Sequence, residues 1–160
     1  MTSIFRILPA GGVYTLIILV EPSDDIAVSK LGWFTFQKGY YAYTGSAMNN
    51  LRKRVERHTR KKKIKHWHID FLLDSDCVNV ESVIASGSKH NDECRTNMAT
   101  MAIGGTSTLV PGFGASDCKQ GCKSHLTYFG DRNPEKEILN AYRTLFKFNV
   151  ALAAAQASGT

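Results

Sequence analysis

Gly39-Tyr40-Tyr41-Ala42-Tyr43-Thr44-Gly45-Ser46-Ala47 decides the reading of this chain. Tyrosines and a threonine between two glycines have the composition of a strand, because aromatic and β-branched side chains fit a pleated, half-buried surface. Alternation sets Tyr41 and Tyr43 on one face. An earlier run, Gly12-Val13-Tyr14-Thr15-Leu16-Ile17-Ile18-Leu19-Val20, reads as a second strand. Gly45 closes the tyrosine strand, and Ser46 is placed to cap a helix that begins at Ala47 and runs through Leu51 and Val55 toward Thr59. Leu51 and Val55 face the core on that helix. Arg54 and His58, four residues apart, lie one above the other on a neighbouring stripe. Two tyrosines, Arg54 and His58 are thereby expected to converge.

A chain of 160 residues with 43% apolar content has the size and composition of one domain, residues 1–160, with its own core. The longest apolar run, Val13 to Val20, is too short to span a bilayer. The start, Met1-Thr2-Ser3-Ile4-Phe5-Arg6, lacks the basic end and apolar core of a secretory signal, so the chain is expected in the cytoplasm without a membrane partner. The net charge of +6 hides an asymmetry: Arg52 to Lys65 holds nine Lys and Arg and one Glu, so this segment is +8 and the remainder −2. The basic side chains are Arg52, Lys53, Arg54, Arg57, Arg60, Lys61, Lys62, Lys63 and Lys65. Such a block repels itself unless solvated or matched by an anion, and a polyphosphate backbone is the commonest extended anion. DNA, or RNA, is the expected partner. A solvated helix end followed by a lysine loop is the alternative for an isolated charge run; its place directly after the tyrosine strand favours phosphate.

Elsewhere, residues 1–10 read as a short strand or lead-in ending at Pro9, and Glu21-Pro22-Ser23-Asp24-Asp25 as a turn. Ile26-Ala27-Val28 and Trp33-Phe34-Thr35-Phe36 form an inserted hairpin. His66-Trp67-His68-Ile69-Asp70-Phe71-Leu72-Leu73 suits a short helix, and Val78 to Ala85 a third strand. Asn91 or Asp92 can cap a helix from Glu93 to Ile103, stopped by Gly104-Gly105, and Pro111-Gly112-Phe113-Gly114 is a glycine-rich loop. Leu126 to Phe129 is a last strand. Asn133-Pro134-Glu135 opens a C-terminal helix with Ile138, Leu139, Tyr142 and Leu145 on its buried stripe, continuing through the alanine-rich stretch to about residue 155.

Gly12-Val13-Tyr14, Tyr43-Thr44-Gly45, the Arg54-x-x-x-His58 spacing and Glu93 on a later helix resemble the GIY-YIG nuclease superfamily. The longer strings Gly39 to Ala47, His66-Trp67-His68-Ile69-Asp70 and Pro111-Gly112-Phe113-Gly114-Ala115-Ser116-Asp117-Cys118 resemble an uncharacterised prokaryotic branch of it, a domain sometimes fused to DNA-repair glycosylases of the endonuclease III type. The resemblance reaches from about residue 11 to residue 129, and the branch shares the long insertion, Glu21 to Phe36, between the two motif strands. It implies a small α/β (α+β) fold: a central three-stranded antiparallel sheet flanked by helices, with the inserted hairpin and a C-terminal strand and helix. It also implies a divalent-metal phosphodiesterase site. Carried over, Tyr14 is the base or water-orienting phenol, Tyr43 its partner, Arg54 the phosphate clamp and Glu93 the ligand to Mg²⁺ or Mn²⁺, with His58 beside them.

Each carried role has chemical sense. Phosphodiester hydrolysis needs an oriented water and cationic groups on the phosphoryl oxygens, and the planar fork of Arg matches two of those oxygens. A single carboxylate suffices for Mg²⁺ when water and substrate oxygens complete the octahedron. Tyrosine, with a reference pKa of roughly 10, is a poor base unless a neighbouring cation favours its phenolate. For the tyrosines the alternative is packing within the sheet with hydroxyls at its rim.

His66, His68 and Asp70 share a face only if they lie on a strand, where they could bind a transition metal; on a helix they diverge, and His68 and Asp70 are then expected on the nucleic-acid side of the site. Trp67 is either core or a stacking surface. Cys118-x₃-Cys122-x₂-His125 has spacing that could hold Zn²⁺ if Cys94 or Asp117 came near; free cysteines and a Cys118–Cys122 disulfide are the other readings. The loop with Ser124-His125 is a signature of the resembling branch, which sets His125 and Ser124 near the cleft along with Ser46 and Asp70. The sequence thus points to a metal-dependent endonuclease acting on DNA in repair or processing, with a DNA-repair protein as a candidate partner. The other reading is a non-catalytic nucleic-acid-binding domain on the same scaffold.

Overall fold

The computed structural model describes residues 4–88, 92–147 and 149–155. In chain order its elements are β1 (Gly12–Val20), β2 (Asp24–Val28), β3 (Gly32–Phe36), β4 (Gly39–Ala47), α1 (Leu51–Thr59), α2 (His68–Leu73), β5 (Val78–Gly87), α3 (Glu93–Met101), β6 (Leu126–Tyr128), α4 (Glu135–Phe146) and β7 (Val150–Ala154). β1 lies at the middle of a five-stranded antiparallel sheet ordered β6-β4-β1-β5-β7, and β2 and β3 form a separate hairpin. β1 reads as an unbroken apolar run because both of its faces are covered. Tyr14, Leu16 and Ile18 join Tyr41, Tyr43, Leu51, Val55 and Phe113 in one cluster, while Val13 and Ile17 join Ala42, Ile138 and Tyr142 in another. The buried hydroxyl of Thr15 on β1 is also satisfied: Thr15 Oγ1 hydrogen-bonds both Thr44 Oγ1 at 2.9 Å and the Tyr142 hydroxyl at 2.8 Å.

The expected central trio exists as β4-β1-β5, but the sheet has five strands rather than three, because β6 and β7 cover its two open edges. The β7 edge overturns the expected helix continuation to residue 155. α4 ends at Phe146, followed by Lys147 at φ 57°, and Val150–Ala154 then pairs with Ser82–Ser86 of β5. Alanine favours helix intrinsically, but here pairing with β5 outweighs that preference. At the other end of α4, Asn133 Oδ1 accepts the Glu135 backbone N–H at 2.9 Å, and Ile138 and Tyr142 are buried while Leu139 and Leu145 are half-buried.

Three boundaries near the site also differ from expectation. β4 stays paired with β1 through Ala47, opposite Gly12, so Ser46 is a strand residue and not a helix cap; α1 begins at Leu51 after Asn50, whose φ of 59° makes the reversal. α2 starts at His68 rather than His66, and α3 stops at Met101 rather than Ile103. Asp24 and Asp25, read as turn, open β2. Of the two residues read as caps for α3, Asp92 makes no side-chain cap bond and Asn91 lies outside the described residues.

Candidate functional site

Register places the phenols. Tyr14 lies opposite Gly45 and Leu16 opposite Tyr43, so both tyrosines project from the same face of the sheet. Gly45 makes room for this: a Cβ there would sit 2.7 Å from the Tyr14 hydroxyl and 2.9 Å from its Cζ. The following helix, α1, then brings His58 behind Tyr14 and Arg54 beside it. The Tyr14 hydroxyl and His58 Nε2 share a buried hydrogen bond of 2.7 Å.

Tyr14, Tyr43, Arg54 and Glu93 line one cleft of about 540 Å³, which continues past Trp67 and Ser46 to Cys94, Cys118 and Lys119. Arg54 Nη1 donates to the Ser46 carbonyl at 2.7 Å, and its guanidinium lies 4.8 Å from the centre of the Trp67 ring. Across the cleft Ser46 Oγ donates to Glu93 Oε1 at 2.8 Å, while Glu93 Oε2 is 2.8 Å from His125 Nδ1. β4, α1, α3 and the loop before β6 each contribute to this arrangement, which no single sequence segment contains.

The electrostatics sort the titratable groups. Burial, reinforced by Tyr43, raises Tyr14 well above the usual phenol range, against the pull of Arg54. Burial raises Tyr43 likewise, with Glu93 adding to it. His58 is pushed down to about 3 by burial and by nearby Lys63, so it is neutral at physiological pH. Burial opposes a charge on His125, but the contact with Glu93 and the neighbouring thiols lift it to about 9. The Cys118 thiol is brought down to about 6, chiefly by the backbone N–H of Cys122, whereas burial raises Cys94.

The basic segment divides into two groups. Arg57 holds Asp70 with both terminal nitrogens, at 2.7 and 2.9 Å, and also donates to the Ile64 carbonyl. Lys61 Nζ caps the carbonyls of Leu73, Ser75 and Val78, and Lys63 Nζ those of Arg57, His58 and Arg60. Arg52 binds the Leu8 carbonyl and Lys65 pairs with Asp74. Lys53, Arg60 and Lys62 present exposed side chains to solvent. Much of the positive charge therefore organises the chain between α1 and β5, satisfying carbonyls that the irregular loop leaves over.

Asp70 is buried at the base of this loop and accepts the backbone N–H groups of His66 and Trp67 besides Arg57, which holds its carboxyl below the usual range despite burial. It is not a cleft residue. Nor do His66, His68 and Asp70 form a metal triad: His68 Nδ1 accepts the Gly114 N–H at 2.8 Å, and His66 is exposed beside Trp67. Trp67, 41% exposed, is a platform under both Arg54 and Arg57 rather than core. Ser124 is fully buried and bonds the Leu126 backbone, shaping the turn into β6. His125, its neighbour, is the residue of that pair that reaches Glu93.

Cys118, Cys122 and His125 do come together, and Cys94 joins them: the four ligand atoms all lie within 4.8 Å of one another. Cys94 was legible only as a conditional partner, because it lies on α3, far from the other three in sequence. Asp117 and Gln120 of the same loop line the cleft, and no motif pointed to Gln120.

The sequence model of the family described as domain of unknown function DUF123 matches residues 13–147. The chain belongs to this family. The DUF123 match runs from the first residue after Gly12 to the end of α4 and so includes both phenols, Arg54, Glu93 and the three-cysteine, one-histidine cluster. Neither a curated protein nor a solved structure matched the chain. Among the described residues no helix is long and apolar enough to cross a membrane.

Proposed function

We propose that the cleft is the active site of a metal-dependent endonuclease of GIY-YIG type, hydrolysing phosphodiester bonds in DNA. The observation that carries this reading is the convergence of Tyr14, Tyr43, Arg54 and Glu93 on one cleft, beside a helix that carries the exposed Lys53 and is followed directly by the exposed Arg60. Arg54, held between the Ser46 carbonyl and the Trp67 ring, is pre-oriented to place its guanidinium against phosphate oxygens, so little side-chain entropy is lost on binding. The phenols stay protonated at neutral pH; they orient a water by hydrogen bonding rather than by deprotonating it. His58 fixes the Tyr14 hydroxyl for that task.

Glu93 fits Mg²⁺ or Mn²⁺ as a hard oxygen donor at the cleft wall, and Ser46 and His125 hold its carboxylate in place. A bound ion would supply positive charge at the phosphoryl oxygens and make a bound water more acidic than bulk water. The test is cleavage of flapped, nicked, branched and plain DNA, with RNA alongside, in Mg²⁺ or Mn²⁺. Arg54→Ala and Glu93→Ala should each lower the rate by about 100-fold or more. Cleavage at the wild-type rate by either variant overturns the residue assignment.

The burial of both phenols favours a second reading, a scaffold that binds nucleic acid without cutting it. Salt-sensitive binding with no cleavage of any substrate in either metal would select it.

A further inference from the structure

The stretch from Ala102 to His125 contains no helix or strand, yet it leaves the end of α3 and returns to its start. A loop of this length inside a small fold is uncommon and needs something to hold it. Backbone bonds supply part of the answer: Gly112 N–H to the Lys123 carbonyl, His125 N–H to the Phe113 carbonyl, and the buried Phe113 ring as an anchor. These bonds leave the tip, Asp117 to Cys122, facing the start of α3. There Cys94 Sγ lies 3.4 Å from Cys118 Sγ and 3.9 Å from His125 Nε2, and Cys122 completes the group.

We infer that Cys94, Cys118, Cys122 and His125 form a tetrahedral Zn²⁺ site, and that His125 ties this ion to Glu93 in the cleft. A tetrahedron with Zn–S near 2.3 Å and Zn–N near 2.0 Å has donor–donor separations of roughly 3.5 to 3.8 Å. The Cys94–Cys118 and Cys94–His125 separations, 3.4 and 3.9 Å, bracket that range, and all four donors fall within 4.8 Å of one another, so closure on an ion needs only small movements. Three soft thiolates and one imidazole select zinc over Mg²⁺ or Ca²⁺. All four positions are protein ligands, which marks a structural ion rather than a catalytic one.

The histidine gives the site its connection to the cleft. Nε2 faces the cysteines, while Nδ1 lies 2.8 Å from Glu93 Oε2. Ligation through Nε2 leaves the proton on Nδ1, which it donates to the carboxylate, the arrangement by which outer-shell carboxylates orient metal-bound imidazoles. Cys94 also follows Glu93 directly on α3. Zinc thereby fixes both the start of α3 and the rotation of the Glu93 carboxylate. This inference is independent of the nuclease reading, since metal content is measured without nucleic acid.

The test uses the full chain purified under reducing conditions, with metal measured by mass spectrometry. About one zinc per chain is expected. Replacement by Co²⁺ should give tetrahedral d–d bands and thiolate-to-cobalt charge transfer. Cys118→Ser and Cys122→Ser should lose the metal, whereas Cys77→Ser should keep it. Should the first two variants fail to fold, chelation of the wild type decides the matter: the thiols of Cys94, Cys118 and Cys122 should become reactive only after the metal is removed. Glu93→Gln should retain stoichiometric zinc with about 10-fold weaker affinity or more. Wild-type protein that neither carries nor takes up stoichiometric metal, a cobalt spectrum without thiolate bands, or a Cys94–Cys118 disulfide in reducing buffer overturns the site. Unchanged affinity in Glu93→Gln overturns the link to the cleft.

Discussion

Replacing His58 by Gln isolates a pH effect that follows from burial. His58 is 2% exposed, hydrogen-bonded to Tyr14, and depressed to about 3 by loss of water and by the charge of Lys63. The unfolded imidazole titrates near the reference value of about 6.5. Below that value the unfolded chain gains a proton that the folded chain does not, so stability falls as pH falls, and continues to fall until the folded value is reached. The limiting slope is about 1.4 kcal/mol per pH unit, and because the unfolded imidazole is half protonated at about pH 6.5 the loss between there and about pH 4.5 integrates to roughly 2.3 kcal/mol. Gln keeps an acceptor for the Tyr14 hydroxyl and has no proton to gain. Urea unfolding of both proteins in small pH steps checks this, because other titrating groups are common to both and cancel in the difference. The wild type should lose roughly 2.3 kcal/mol relative to His58→Gln over that interval. Parallel curves would show that His58 charges in the folded protein and that the buried pair with Tyr14 is wrongly drawn.

Gly45→Ala sets a Cβ 2.7 Å from the Tyr14 hydroxyl and should cost about 1–3 kcal/mol by overpacking; thermal unfolding measures it, and a cost below about 0.5 kcal/mol would mean the ring swings aside freely. Asp70→Ala strands Arg57 and two backbone N–H groups around a buried position. A loss of about 3–5 kcal/mol is expected in urea unfolding. In nucleic-acid binding, joint replacement of Lys53, Arg60 and Lys62 by Gln should flatten the slope of log affinity against log salt by about 2 to 3, as filter binding or anisotropy would show. Lys61→Gln should leave that slope near wild type and lower stability instead, because its ammonium caps three carbonyls.

Local chemistry made much of the sheet legible. The tyrosine strand, the apolar strand beside it, the hairpin of Ile26–Val28 and Trp33–Phe36 and the start of α4 all carry their own signals: alternation, β-branching, glycine stops and an asparagine cap. The boundaries that differed lie where distant pairing outweighs local preference, as at Ser46 and in the alanine-rich stretch. The basic segment was legible as charge but not as structure. That Lys61 and Lys63 serve carbonyls while Lys53 and Lys62 face solvent depends on the path of the backbone between α1 and β5.

The sequence by itself determined which chemistries are present: two phenols on separate strands, an arginine and histidine one helical turn apart, a late glutamate, and thiols with an imidazole at near-ligand spacing. Side-chain period and residue type are local properties, so they survive without a fold. Only the tertiary structure decided which groups meet. Register brought Tyr14 over Gly45, α1 buried His58 behind the phenol and left Arg54 at the cleft, and the long loop carried His125 to Glu93 and the thiols to Cys94. Those meetings join residues far apart along the chain, and they exist because the sheet and its two packed faces hold them there.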